Sequence, residues 1–327
     1  MKNNLALSKE ALFAIAALVV LSALPFFTSS RLFSDFVIRL AAFGIFATSL
    51  NILIGYGGMV SFGHAMFFGG GAYAFGLLMQ KVGVSIPIAL LGTVLFCAVL
   101  GLIVGIICVR LKEIYFSFLT LAFAMLVHSV ILSWMSLTGG DQGLTGGIPR
   151  PVFLGINLSN GQHLYWFACF LAVACLLLMR WLMQSPFGYT LRMVRDNPER
   201  ARFLGVDVWR TRLYAFVLSG AFAGVAGAIM ALFVSAAYPE FAYWTMSGEA
   251  IFMILLGGLH VYLGPVIGAA LLMIFNDVIT RYTDFHGLAM GIVVLIFALG
   301  FQRGIADFLV RLFRPKHKTT NTKQVTS

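Results

Sequence analysis

Long apolar runs separated by short polar stretches recur along the whole chain. A helix needs about 20 residues to cross the hydrocarbon core of a bilayer. Runs of that order occupy 11–27, 36–54, 60–80, 86–109, 114–134, 163–181 and 213–235, and two further apolar stretches cover 249–276 and 287–302. The pattern predicts an all-α polytopic membrane protein with about 8–10 transmembrane helices. A membrane body over 11–302 then lies between a short N-terminus, 1–10, and a basic tail, 303–327.

Two places break the apolar pattern without adding charge. Gly55–Gly58, with Gly63 and Gly69–Gly71 after it, interrupts the second and third runs. Gly257, Gly258, Gly264 and Pro265 interrupt the stretch 249–276, which at 28 residues is long for one crossing. Glycine and proline are the strongest helix breakers, so broken or re-entrant segments are expected near 55–71 and 257–265. Ser61 precedes the first glycine cluster and Ser247 the second, a loose internal correspondence. Paired breaks of this kind frame a central pathway in some transporters. Asn51, Ser61, Gly63, His64, Gly69, Gly257 and Gly258 are the candidates to line it. Close helix packing is the plainer role for any one glycine, and a satisfied structural histidine is the plainer role for His64 or His260.

The exception to the apolar pattern is Ser185–Arg212, inside a polar segment spanning 182–212. It carries six arginines (Arg192, Arg195, Arg200, Arg202, Arg210, Arg212) and three acids (Asp196, Glu199, Asp207). Ser185-Pro186 and Asn197-Pro198 each read as an N-cap followed by a first helical residue, and Gly205 suits the left-handed position after a helix end. Two short helices follow, with Asp207 capping the next span. Phe187, Leu191 and Val194 fall on one face of the first helix. That stripe suits either docking in a cleft on a soluble partner or lying on lipid headgroups.

Charge sets the orientation. Only 10% of residues are charged, against about 25% in soluble domains. The net charge of +10 comes mainly from the polar segment and the tail, so it reads as cytoplasmic enrichment of Lys and Arg and not as a nucleic-acid surface. With the N-terminus inside, 110–113 and 182–212 fall inside, while 135–162 and 236–248 fall outside. The basic tail is inside only if 249–276 is re-entrant or forms two short crossings.

Chemistry is sparse. No Walker A, HExxH or GxSxG pattern occurs, and the four cysteines (Cys97, Cys108, Cys169, Cys175) lie apart in apolar runs, so neither a disulfide framework nor a metal site is indicated. Asp35, Glu113, Asp141, Glu240, Asp277 and Asp284 read as loop or span-end acids, and Glu249 is the nearest to an intramembrane one. A chain without a clear intramembrane carboxylate is a poor stand-alone ion-driven carrier.

Five ordered stretches carry a family resemblance: Asn51–Tyr73, Ile114–Ala124, Leu137–Pro151, Ser185–Val206 and Leu255–Leu272. Together they resemble a permease of the branched-chain amino acid ABC transporter family, LivM type. The resemblance implies a multi-pass subunit of a bacterial inner-membrane importer that does no covalent chemistry and needs no cofactor. It implies a second, homologous permease of LivH type, two cytoplasmic ATP-binding subunits and a periplasmic substrate-binding protein. The family's ATPase-coupling loop matches Gly188, Leu191, Arg192, Arg195, Asn197, Ala201, Leu204 and Gly205, with Phe187 beside them. Met59 stands where the family commonly has Gln. The same architecture serves urea, short amides and aromatic acids, and a stand-alone secondary carrier is the rival class.

Overall fold

The computed structural model describes residues 31–296 except Lys112, Thr145, Pro151, Leu154, Gly155, His260, Thr283, Asp284, His286, Met290, Val293 and Val294. The expected span 11–27, the tail, most of 287–302 and His260 therefore lie outside the described residues.

The chain is helical almost throughout. Helix α1, Arg31–Asn51, runs into a π-helical turn at Ile52–Tyr56. After a non-helical segment, α2 covers Ala65–Leu77 and also ends in a π turn, Leu78–Val82. Helices α3 (Ile86–Cys108), α4 (Glu113–Ser133) and the one-turn α5 (Met135–Thr138) follow. A two-stranded antiparallel pair, β1 (Val152–Phe153) and β2 (Ile156–Asn157), interrupts the loop before α6, Gly161–Gln184. Helices α7 (Pro186–Asp196) and α8 (Pro198–Phe203) form a polar arm leading to α9, Val208–Val234. Helices α10 (Trp244–Gly257) and α11 (Gly264–Tyr282) complete the described body.

Six helical spans are long and apolar enough to cross a membrane among the described residues: α1 with its π turn, α3, α4, α6, α9 and α11. The stretch 249–276 is two elements: α10 and α11, which pack against each other. The first break is displaced from its expected place. It ends at His64, and Gly69–Gly71 lie inside α2.

Helices α1 and α9 form the centre. Of the apolar window of α1, 72% is buried within the chain, against 22% for α4 at the rim. Small residues make the centre possible. Helix α9 presents Gly220, Gly224 and Gly227, where an added Cβ would press on the Phe67 ring, on Cys97 and on the Phe68 backbone. Lipid offers an apolar surface no less favourable than a neighbouring helix, so such helices associate through close van der Waals contact, which small residues permit. Phe46, Phe67, Phe68 and Phe216 fill the space between α1, α2 and α9, with ring centroids 4.7 Å apart for Phe46–Phe68 and 5.4 Å for Phe67–Phe216.

Among the described residues, one ion pair joins long helices. Asp277, expected just past the end of its run, lies inside α11, and Arg39 of α1 meets it at 3.2 Å. Opposite charges on membrane helices offset each other's desolvation.

Candidate functional site

The polar arm folds as its punctuation dictates. The Asn197 carboxamide oxygen accepts from Arg200 N–H at 2.8 Å, the Asp207 carboxylate accepts from Arg210 N–H at 3.0 Å, and Gly205 has φ +84°. Ser185 occupies the N-cap position of α7, but its hydroxyl donates backwards to the Leu182 carbonyl at 2.6 Å. The turn from α6 into α7 is tight: a Cβ on Gly188 would stand 2.5 Å from Met183 Cα.

The apolar stripe of α7 does not face outward. Leu191 and Val194 are fully buried against the chain's own body, and Phe187 is partly buried there. Ala201 of α8 joins Val194 and Val208 in a small apolar cluster. A single-sided helix next to a large apolar body buries that side on the body first, so both readings drawn from the stripe are replaced. What the arm leaves open is its tip, where Phe203 is 92% and Leu204 67% exposed.

Two arginines brace the arm. Arg192 donates to the Met183 carbonyl at 2.6 Å, and its guanidinium lies over the rings of Tyr56, at 5.2 Å, and Tyr189, at 4.9 Å. Arg195 donates to the Gly55 carbonyl and pairs with Asp196 at 2.8 Å. Both therefore clamp the arm to the π turn that ends α1.

Inside the body, the interrupted segment meets a cluster of hydroxyls. The Ser49 hydroxyl donates to the Phe46 carbonyl at 2.7 Å and lies 2.9 Å from His64 Nε2. A hydroxyl has one proton, so Ser49 Oγ accepts from His64 Nε2–H, and Nδ1 is the bare nitrogen. No hydrogen-bond partner faces Nδ1 among the described residues. The imidazole stacks on Phe46, centroids 5.3 Å apart. Ser219 of α9 donates to the Ser49 carbonyl at 2.5 Å, and the Ser247 hydroxyl of α10 accepts from Ala65 N–H, the first amide of α2, at 2.7 Å. Thr48 Oγ1, Asn51 Oδ1 and Ser61 Oγ are buried nearby in sequence with no hydrogen-bond partner among the described residues.

Every expected path residue is thus placed in the interior or at a helix contact. Asn51, Ser61 and His64 are buried. A Cβ on Gly63 would reach within 2.6 Å of the Thr120 carbonyl carbon, and one on Gly69 within 2.6 Å of Ala242 Cα. Gly257 lies against α11, where a Cβ would stand 3.0 Å from Gly268 N, and Gly258 has φ +108°. Ser49 and Ser219 were not singled out in the sequence, because one hydroxyl within an apolar helix carries no spacing signal. Ser247 was noted only as a repeat marker, and its contact with Ala65 now joins the two interrupted regions directly.

Polar groups also occur on open faces of the rim. Helix α4 exposes Ser129 and Ser133, and α10 exposes Thr245 and Glu249. These two helices touch, with His128 against Tyr243 at 5.0 Å between centroids. A carboxylate open on a membrane helix points to a protein partner or a water-filled cavity rather than lipid. At the end of the body away from the arm, the glycine-rich loop is fastened down. Gly139, Gly140, Gly143, Gly146 and Gly147 all have positive φ. Arg150 donates to the Leu232 and Phe233 carbonyls at 2.9 and 2.6 Å, capping the C-terminus of α9.

A cavity of about 200 Å³ opens beside the arm, between the interrupted segment at Gly58 and Met59, the start of α4 at Phe116, helix α8 and Arg212. Among the described residues, no group of three or more His, Cys, Asp or Glu side chains could hold a metal ion.

Comparison with known proteins shows the family of the chain. A family profile described as "Branched-chain amino acid transport system / permease component" matches residues 32–299. The high-affinity branched-chain amino acid transport system permease protein LivM of Escherichia coli (strain K12) is 27% identical, covering 96% of this chain and 78% of its own length. The autoinducer 2 import system permease protein LsrC of Salmonella typhi is 34% identical, covering 59% of this chain and 54% of its own. A solved structure of an inward-facing metal-chelate type ABC transporter aligns over 94% of this chain and 99% of its own, with TM-score 0.47 and 14% identity.

Proposed function

Because the chain belongs to the branched-chain amino acid transport permease family, we propose that it is one permease subunit of a bacterial ABC importer. It forms part of the path for branched-chain amino acids, or a related small amino acid or amide, across the inner membrane. ATP is hydrolysed on two cytoplasmic partner subunits. A second permease of LivH type completes the path, and a periplasmic protein delivers the substrate. The substrate is the least constrained element, since one relative is named for amino acids and another for autoinducer 2.

The observation that carries the energy-coupling role is the bare Phe203–Leu204 tip on a braced arm. Exposed apolar side chains on an otherwise polar, capped segment mark a protein contact. Gly188, Arg192, Arg195, Asn197, Ala201 and Gly205 would serve that contact indirectly, by shaping and holding the arm. The path in this reading follows the open face of α4 and α10, with Glu249 and Ser129 toward the second permease. Asn51, Ser61, His64 and the glycines at 63, 69, 257 and 258 support the interrupted segments from behind.

The test is the double substitution Phe203→Glu, Leu204→Glu, co-expressed with the ATP-binding subunits. The expected result is loss of co-purification and of uptake, with the melting temperature of the isolated chain unchanged. Full assembly and uptake would remove the tip as the docking point.

A further inference from the structure

The cavity beside the arm is used by neither role above. Its volume, about 200 Å³, lies below the range of about 300–1,000 Å³ typical of pockets for drug-sized ligands. It exceeds several times the roughly 30 Å³ that one water occupies in the liquid. It is the size for one small solute.

Its walls are of two kinds. Leu111, Met59 and Phe116 are apolar, while Glu199, Arg202 and Arg212 are ionisable. Two cations face one acid, so the lining carries an excess positive charge. Three neighbouring arginines are occupied: Arg192 by the Met183 carbonyl and two rings, Arg195 by Gly55 and Asp196, Arg210 by Asp207. Arg212 has no hydrogen bond or ion pair among the described residues; its Nε, like that of Arg192, is buried without a partner, and the like charge of Arg202 acts on it. Neither arginine pairs with Glu199 among the described residues. Like charges at a partly buried site are unfavourable unless an anion completes them, and guanidinium groups match the planar edge of an oxyanion.

We propose that this cavity binds one small oxyanion, a carboxylate or phosphate group, between Arg202 of the arm and Arg212 of α9. The bound group ties α8 to the first turn of α9 and lies against Met59 of the interrupted segment. The chemistry is the same for a free solute and for the headgroup of an anionic lipid. The site does not depend on the transport reading, because it is defined by residues of this chain alone.

The experiment uses the full chain purified in neutral detergent, with melting temperature followed at constant ionic strength balanced by chloride. Four probes are titrated: inorganic phosphate, leucine, leucinamide (which lacks the carboxylate), and short-chain phosphatidylglycerol against phosphatidylcholine. Expected is a saturable stabilisation by at least one oxyanion probe, absent with leucinamide and phosphatidylcholine. Which probe saturates identifies the source. The exposed-side variant Arg202→Gln keeps the ligand-free melting temperature and weakens binding at least tenfold, and Arg212→Lys weakens it less than Arg212→Gln. The proposal is overturned if no oxyanion saturates, if chloride alone gives the same shift, or if Arg202→Gln binds as the parent chain does.

Discussion

The same substitution should have opposite effects at two glycines of the membrane body. Gly227 lies in the middle of α9 where that helix crosses α2. A Cβ there would stand 2.9 Å from both the Phe68 carbonyl carbon and Ala72 N, and closer still to the Phe68 oxygen. The obstacle is backbone, which cannot swing aside as a side chain would, so the helices must separate. Overpacking typically costs about 1–3 kcal/mol, and a backbone obstacle places Gly227→Ala near the upper end, about 3 kcal/mol. Gly248 is also helical, in α10, but an added Cβ meets nothing within 4 Å. There Gly→Ala removes only conformational entropy from the unfolded chain, a gain of about 0.5–1 kcal/mol. The predicted contrast is about 4 kcal/mol, roughly a thousandfold in the folding equilibrium. Equilibrium unfolding in mixed detergent micelles, followed by tryptophan fluorescence, measures it. If Gly227→Ala proved as stable as Gly248→Ala, the close approach of α9 and α2 would be wrong.

Two other contacts predict measurable losses. Ser247→Ala removes the acceptor for Ala65 N–H, leaving a buried donor unpaired; it should cost about 1–3 kcal/mol in the same unfolding assay, and Ser247→Thr should retain most of the stability. Asp277→Asn should destabilise the body by about 1 kcal/mol, and the reversed pair Arg39→Asp, Asp277→Arg should recover at least half of that; equal stability of single and reversed variants would mean the pair contributes nothing.

Much of the fold could be read from the sequence because a bilayer leaves little choice. Most of the runs near 20 residues are helices long and apolar enough to cross, but the run 60–80 is not, since it becomes helical only at Ala65; the α10–α11 division was legible at Gly257, Gly258 and Pro265. The arm was readable to the residue at Asn197, Gly205 and Asp207, since caps depend on local chemistry. The orientation of Leu191 and Val194 was not, because a stripe shows which side is apolar without showing what covers it. The same holds for Gly69–Gly71. Breaking a helix and allowing close approach both select glycine, and only the presence of α9 and Ala242 across the contact decides between them. The hydroxyl contacts were hidden for another reason: Ser49, Ser219 and Ser247 come from three helices, and their bonds, Ser219 to Ser49, Ser49 to His64 and Ser247 to Ala65, are a property of the packing.

Packing also bears on how movement of the arm would reach the interior. The short link from Gly205 to α9 suggests α9 as the transmitter, but α9 is held on several sides by glycine contacts with α2 and α3 that have no slack. Arg192 and Arg195 offer a second connection, from α7 to Tyr56 and Gly55 at the end of the π turn. That turn lies directly after Asn51, whose buried Oδ1 has no hydrogen-bond partner among the described residues. π-Helical turns recur at functional positions because their extra residue loosens the regular helical register. If force enters at Phe203 and Leu204, the π turn is therefore the softer of the two routes. Movement along it would reach the interrupted segment at Gly58–His64 while α9 stays fixed as the frame.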